Sequence, residues 1–383
     1  MATNVINIRR FVDVSTGVVL TPTDTARDWG AVLFVQKGED GASTTIKKYD
    51  DLAAVIAAGS NTEAAKAATQ FYGTSYAGVV PTTPFYVATI GAADAEQFTT
   101  NFTALMTSED YYLVLLDSGL TDDMRIAAAE AVEGSLSVAS HKLFLDDYSA
   151  DAVNKTLEED ETSVSALTAG KKLTATSVVW SNASTTKRYY SAALAAFFAT
   201  RKFDTSSRQM CSIAHKAASG VEAVDFTDPA VTVTPTQGYD NLVSKNANAY
   251  INVKLVGLTA WEKGLLASGD DISDFVSADY LNYTLTMRVF ATLQAYPRIP
   301  MNGTGATILG TAINSAFMEL ASAGVIGPGT SLDGEVFSGY GYKYSIPIPT
   351  GVKKANGIWE GIVASALLTG STKKVVIGNT LKK

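Results

Sequence analysis

The chain has one cysteine and two histidines in 383 residues. One cysteine excludes an intrachain disulfide and any cysteine-cluster metal site. Two histidines, His141 and His215, leave almost nothing for a histidine metal centre, and neither has a second ligand three or four residues away. Charge is also scarce: 18% of residues are charged, against ~25% in an average soluble domain. A surface short of charge, with 46% hydrophobic residues, points to an exterior covered by something else. The formal net charge of -8 argues against nucleic-acid binding through a strong positive field. No apolar run approaches the roughly 18 residues of a membrane helix, so no membrane insertion is expected. Residues 1–8 lack the basic start, apolar core and cleavage pattern of a signal peptide, so a soluble, reducing compartment is expected.

Phosphate chemistry leaves no mark either. There is no G-x-x-x-x-G-K-[ST] loop. Gly303-Thr304-Gly305 has Ile308 where a third glycine belongs, and Gln36-Lys37-Gly38-Glu39-Asp40-Gly41 after the first strand lacks the dinucleotide fingerprint. The carboxylate pairs Asp122-Asp123, Asp146-Asp147 and Asp270-Asp271 are adjacent residues, which face apart on a helix or strand, so they read as turns and caps. Cys211 and His215 lie four apart on a predicted strand, about 13 Å, too far for a nucleophile pair. No nucleophile elbow exists; Gly73-Thr74-Ser75-Tyr76-Ala77 lacks its last glycine. No catalytic, cofactor or metal site is expected.

What is present is rhythm. The length exceeds the roughly 250–300 residues at which one core stops growing, so about two domains are expected. Residues 1–20 read as an extended arm, with Val5, Ile6 and Ile8 apolar. From Trp29, strands alternate with helices: strands at Ala31–Val35, Phe85–Ile90, Tyr111–Leu116, Lys142–Leu145 and Thr176–Trp180. Helices are predicted from the Asp50 cap to Gly59, over Thr62–Tyr72, Asp94–Met106, from the Thr121 cap to Val132, and over Thr186–Ala199. This is an α/β domain with a largely parallel sheet, at 21–200. The run Glu158-Glu159-Asp160-Glu161 reads as a solvated loop.

The rhythm is lost after Arg201, and an α+β domain with a β-rich end is expected over 201–370. It holds strands at Arg208–Ala214 and Asn248–Val256, and the longest helix at Ser273–Ala295, stopped by Pro297. A second helix begins at Thr304 or Thr307 and ends at Gly324. Strands follow at Tyr340–Ile346 and Ile358–Leu368. Residues 371–383 form a strand-like terminal arm carrying Val375, Val376 and Ile377. Unpaired apolar strands at both ends invite addition to another chain's sheet. Size without visible chemistry favours a structural subunit over the alternative, a metabolic α/β enzyme.

One ordered set of segments is more specific. It comprises Tyr189-Tyr190-Ser191 through Arg201, Ser219-Gly220-Val221, Leu242 through Val253 and Leu266-Ala267-Ser268-Gly269-Asp270. Arg298-Ile299-Pro300 with Gly305, and Gly324 through Gly329, complete it. From about Tyr189 to the end, this order resembles the tail sheath proteins of contractile bacteriophages. The resemblance departs where many sheath proteins are arginine-rich; here the stretch is Lys353-Lys354-Ala355-Asn356-Gly357. It implies a homo-oligomer of rings or a helix around an inner tail tube protein, with baseplate and tail terminator proteins as further partners. It implies contraction that drives the tube through the host envelope without nucleotide, and neighbours linked by terminal arms. The implied location is the virion tail, assembled in the host cytoplasm.

Overall fold

In the computed structural model, residues 28–370 are described, apart from 93, 109, 136–140, 149–152, 182–188, 204–209, 228–230 and 254–257. The first strand, β1 (Val32–Gly38), sits in the middle of a six-stranded sheet. Its side chains alternate between two cores: Val32 and Phe34 join one, Leu33 and Val35 the other. That is the period of two of a strand buried on both faces. Next come β2 (Thr45–Tyr49), α1 (Leu52–Ala58), α2 (Glu63–Gly73), β3 (Phe85–Gly91), α3 (Ala95–Leu105) and β4 (Leu113–Leu116). Then follow α4 (Asp122–Ser135), β5 (Leu143–Tyr148), α5 (Val164–Gly170), β6 (Thr176–Trp180) and α6 (Tyr190–Thr200). The strand order is β2-β3-β1-β4-β5-β6, with β2 antiparallel to β3 and every other pairing parallel. Phe34 of β1 lies between Val87 of β3 and Leu115 of β4.

Helix starts follow side-chain caps. Thr62 accepts from Ala65 N–H, and Asp94 from Gln97 N–H, as the sequence predicts. The first helix is capped by Asp51, not Asp50: Asp51 accepts from Ala54 N–H at 2.8 Å, while Asp50 pairs with Lys48 at 3.1 Å. Helix α6 is apolar on every side, and all its residues but Ala199 are buried, as befits a helix packed between the sheet and α2.

The second half contains α7 (Pro235–Ser244), β7 (Tyr250–Val253), β8 (Leu258–Trp261), α8 (Ile272–Ala295) and α9 (Gly303–Ser322). It ends with β9 (Gly329–Thr330), β10 (Val336–Phe337), β11 (Tyr342–Ser345), α10 (Gly351–Ala355) and β12 (Val363–Ala366). Its beginning is stitched along β6. Asn248 N–H donates to Val178 O at 2.9 Å, Trp180 N–H to Asn248 O at 2.8 Å, and Ala267 N–H to Thr176 O at 2.7 Å. The strand predicted at Arg208–Ala214 is not found over its described residues 210–214. That stretch turns at Ala214 and His215, where φ of +63° at His215 breaks any extended run. Helix α9 begins at Gly303, one residue before the first predicted start, because Asn302 caps it through Thr304 and Gly305 N–H.

Candidate functional site

The strand order reverses between β1 and β4, the crevice in which folds of this kind hold ligands. Here the crevice is filled by the chain itself. Tyr189 donates to Glu63 at 2.5 Å, Ser118 donates to the same carboxylate at 3.1 Å, and Lys66 takes its other oxygen at 2.7 Å. Burial and the Glu63 carboxylate push the Tyr189 phenol far up, so it stays neutral. One strand over, Asp146 and Asp147 face opposite helices, as adjacent strand residues must. Arg125 of α4 pairs with Asp146 and also donates to Asp117 O at 2.8 Å and Asp147 O at 3.1 Å. Asp147 accepts from Ser191 N–H at 3.0 Å and from its hydroxyl, and so caps α6, which lacks a cap of its own. Burial pushes Asp146 up to about 6 despite Arg125, and Asp147 up to about 7 despite Ser191. The two carboxylates are thus separate structural anchors, not an acid–base pair.

The other candidates are also built into the scaffold. Asp122 and Asp123 open α4, and Asp271 caps α8. His141 is buried against Asp279 of α8, which also accepts from Tyr112 OH at 2.9 Å. His215 N–H donates to Trp261 O at 2.7 Å. Cys211 is only partly buried, on the rim of the larger core. Among the described residues, no group of three or more His, Cys, Asp or Glu could hold a metal ion, and no helix is long and apolar enough to cross a membrane.

The surface that stands out lies at the other end of the chain. Among the described residues, eight of the fifteen exposed large hydrophobic side chains fall between 332 and 363: Leu332, Val336, Tyr340, Tyr344, Ile348, Val352, Ile358 and Val363. That concentration in a short stretch is more than the scattered apolar residues any surface carries. The strands here pair only two by two. Tyr342 faces Ala366 and Ser345 faces Val363 in β11–β12, and among the described residues no further strand joins that sheet. Such edges are templates for another strand. The expected arm residues Val5, Ile6, Ile8, Val375, Val376 and Ile377 lie outside the described residues. Where the described chain ends, it is tied down: Thr369 N–H donates to Val325 O at 3.0 Å and its hydroxyl to Gly324 O at 2.7 Å. At the other end, Trp29 packs edge-on against Tyr112, Phe203, Tyr280 and Tyr283. Sequence reasoning missed the exposed patch, although its apolar residues set among Gly, Pro and Lys gave a signal.

Residues 272–350, from the start of α8 to the turn before α10, match the family model for the C-terminal domain of E217 tail sheath protein gp31-like proteins. The chain is similar in fold to a protein from the cryo-EM structure of the anti-feeding prophage (AFP) helical sheath in its contracted state. The TM-score is 0.62 at 15% identity, over 96% of this chain and 100% of that one. The fold is that of a contractile tail sheath protein. A chain from the 6-fold symmetrised AFP baseplate gives 0.61 at 16% identity, over 97% and 100%. The PVC sheath complex of an extracellular contractile injection system, also contracted, gives 0.60 at 13%, over 97% and 96%. A search of curated protein sequences finds no match. The sheath fold accounts for both halves, the α/β sheet and the helical C-terminal part with its small two-stranded sheets.

Proposed function

We propose that the chain is the repeating subunit of a contractile sheath, polymerised as rings or a helix around an inner tail tube and shortening to drive that tube through a host envelope. The observation that carries this reading is the pairing of a whole-chain sheath fold with a C-terminal sheet that leaves its edges open. The subunit is a structural protein rather than an enzyme. The matched relatives include extracellular injection systems as well as a tail sheath; we take the tail of a virion, assembled in the host cytoplasm, as its place. Its ends meet baseplate and terminator proteins. The α/β domain at 21–200 faces outward, and residues 201–370 make the ring contacts.

The terminal arms hold neighbours together. Val5, Ile6 and Ile8 at one end, and Val375, Val376 and Ile377 at the other, extend the β11–β12 sheet of adjacent copies. At ~25 cal/mol per Å² of apolar area, each arm contributes a few kcal/mol at every subunit. Electron microscopy of the overexpressed protein tests the reading: long hollow cylinders are expected, and discrete small oligomers would refute it. Deleting residues 371–383 is expected to leave a folded, soluble monomer that forms no cylinders. Cylinders at the normal concentration, or an unfolded monomer, would show that the arm does not exchange.

A further inference from the structure

The most exposed apolar side chain in the described protein is Leu332, at 111% of its reference area, on the tip of the β9–β10 hairpin. Hydrogen bonds close the turn that carries it. Ser331 N–H donates to Glu335 O at 2.9 Å, Gly334 N–H to Ser331 O at 3.0 Å, and Glu335 N–H to Ser331 Oγ at 3.0 Å. Gly334 takes the left-handed φ of +87° that the turn needs. Below the tip, Lys343 pairs with Glu335 and lies over the Phe337 ring at 5.0 Å. A leucine held out on a hydrogen-bonded turn needs little ordering of its backbone on docking, which favours it as a contact residue. Beside it stands Asp333, whose carboxylate accepts from Ser331 Oγ and, at 3.4 Å, from Glu335 N–H within the turn, and forms no ion pair among the described residues.

Elsewhere on the same chain is a surface of complementary chemistry. Helix α10 is exposed along its whole length and offers Val352, 72% exposed, next to Lys353 and Lys354. Lys353 is engaged with Glu360 at 2.7 Å, whereas Lys354 forms no ion pair among the described residues. Within one copy, Asp333 and Lys354 form no ion pair.

We propose that the β9–β10 tip of one copy docks on α10 of a second copy, with Leu332 against Val352 and Asp333 against Lys354. Knob and cradle are different surfaces, so the contact is head-to-tail, and such contacts propagate into rings or helices. It is small, and acts beside the exchanged arms by fixing the register between copies. The proposal rests on the sheath reading for its setting, but its chemistry can be tested apart.

Three variants probe assembly. Leu332→Ser is expected to raise the protein concentration needed for cylinders about ten-fold, the effect of removing an interface anchor. Asp333→Lys and Lys354→Glu are each expected to raise it, and their combination to bring it back towards the parent value. Asp333→Asn, which keeps an acceptor for the turn, guards against a folding defect at the tip. Separately, in a Cys211→Ser background, chains with Leu332→Cys and chains with Val352→Cys are mixed and treated with a short bismaleimide. Cross-linked pairs well above a Leu332→Cys plus Lys47→Cys control support the contact. Normal assembly of both single charge variants, failure of the exchanged pair to recover, or cross-linking at the control level would overturn it. If the parent protein forms no cylinders, the sheath reading falls, and cross-linking of the concentrated protein still decides the contact.

Discussion

Removing the Lys245 ammonium should do more damage than any surface charge deletion, because its partner has nowhere to go. Lys245, at the end of α7, pairs with Asp160, and the two side chains are 0% and 2% exposed. Asp160 also accepts from Ser163 N–H at 2.9 Å, Thr162 N–H at 3.2 Å and Ser163 Oγ at 2.6 Å. Burial alone would raise this carboxyl, but Lys245 and the Ser163 bonds outweigh burial and hold it at about 2. Against an unfolded value near ~3.9, that depression contributes about 2–3 kcal/mol at neutral pH. The contribution is present above the unfolded value and is lost as pH falls from about 4 towards 2. Lys245→Met leaves a buried anion, which costs about 3–5 kcal/mol. The sign with pH then reverses: an unpaired Asp160 prefers its proton, so the variant should recover stability on going from pH 7 to pH 5. Asp160→Asn combined with Lys245→Met should regain most of the loss. Urea unfolding followed by far-UV circular dichroism at both pH values measures the parent, Lys245→Met and the double variant. A Lys245→Met cost below about 1 kcal/mol, or a double variant no better than the single one, would refute the argument.

Two further perturbations follow from the same structure. Asp147, pushed up to about 7 by burial, takes up a proton on folding, so its site loses stability as pH rises through 7. Asp147→Asn keeps an acceptor for Ser191 and should flatten the wild-type decline of about 1 kcal/mol between pH 6 and 8. Equal urea midpoint slopes for the two proteins would count against it. Gly305 has no room for a side chain: a Cβ would collide with the Pro300 carbonyl and come within 2.9 Å of Trp359 Cζ3. Gly305→Ala should cost about 1–3 kcal/mol, whereas Gly303→Ala, with open space around it, should not. Equal melting temperatures for the two alanine variants would overturn this.

The α/β half was legible because its signals are local. Four-residue apolar runs such as Leu113–Leu116 lie in the middle of the sheet, and Thr62, Asp94 and Thr121 stand where helices begin. What escaped were elements whose local pattern is weak. Strand β2 is exposed over four of its five residues and reads T-I-K-K-Y, as an edge strand guarded by lysines does. Helix α5 has only seven residues. The acidic run at 158–161 reads as a solvated loop, and three of its residues are exposed; Asp160 is buried because its cation arrives from α7, 85 residues later. No charge pattern along the chain announces such a partner.

The same reasoning explains why the join between the two halves could not be read from sequence. His141 stands alone, and its partner Asp279 is 138 residues away on a helix whose periodicity advertises only its apolar residues. Yet the first half of α8 is buried through polar side chains: Ser273, Ser277, Asp279, Asn282, Thr284 and Thr286. Asp279 is met by His141 and Tyr112 at the ends of β5 and β4, Ser273 donates to the Asp271 cap and Thr286 to Asn282 O. The last turns of α8, from Arg288, emerge to the surface beside α9, where Arg288 reaches Glu319 at 2.7 Å. One unbroken helix of 24 residues is therefore held at its start by the α/β sheet, and its far end packs with the helix that leads to the small sheets. The polar contacts at Asp279 fix that start in place, because sliding the helix along its axis would break the buried hydrogen bonds from Tyr112 and His141.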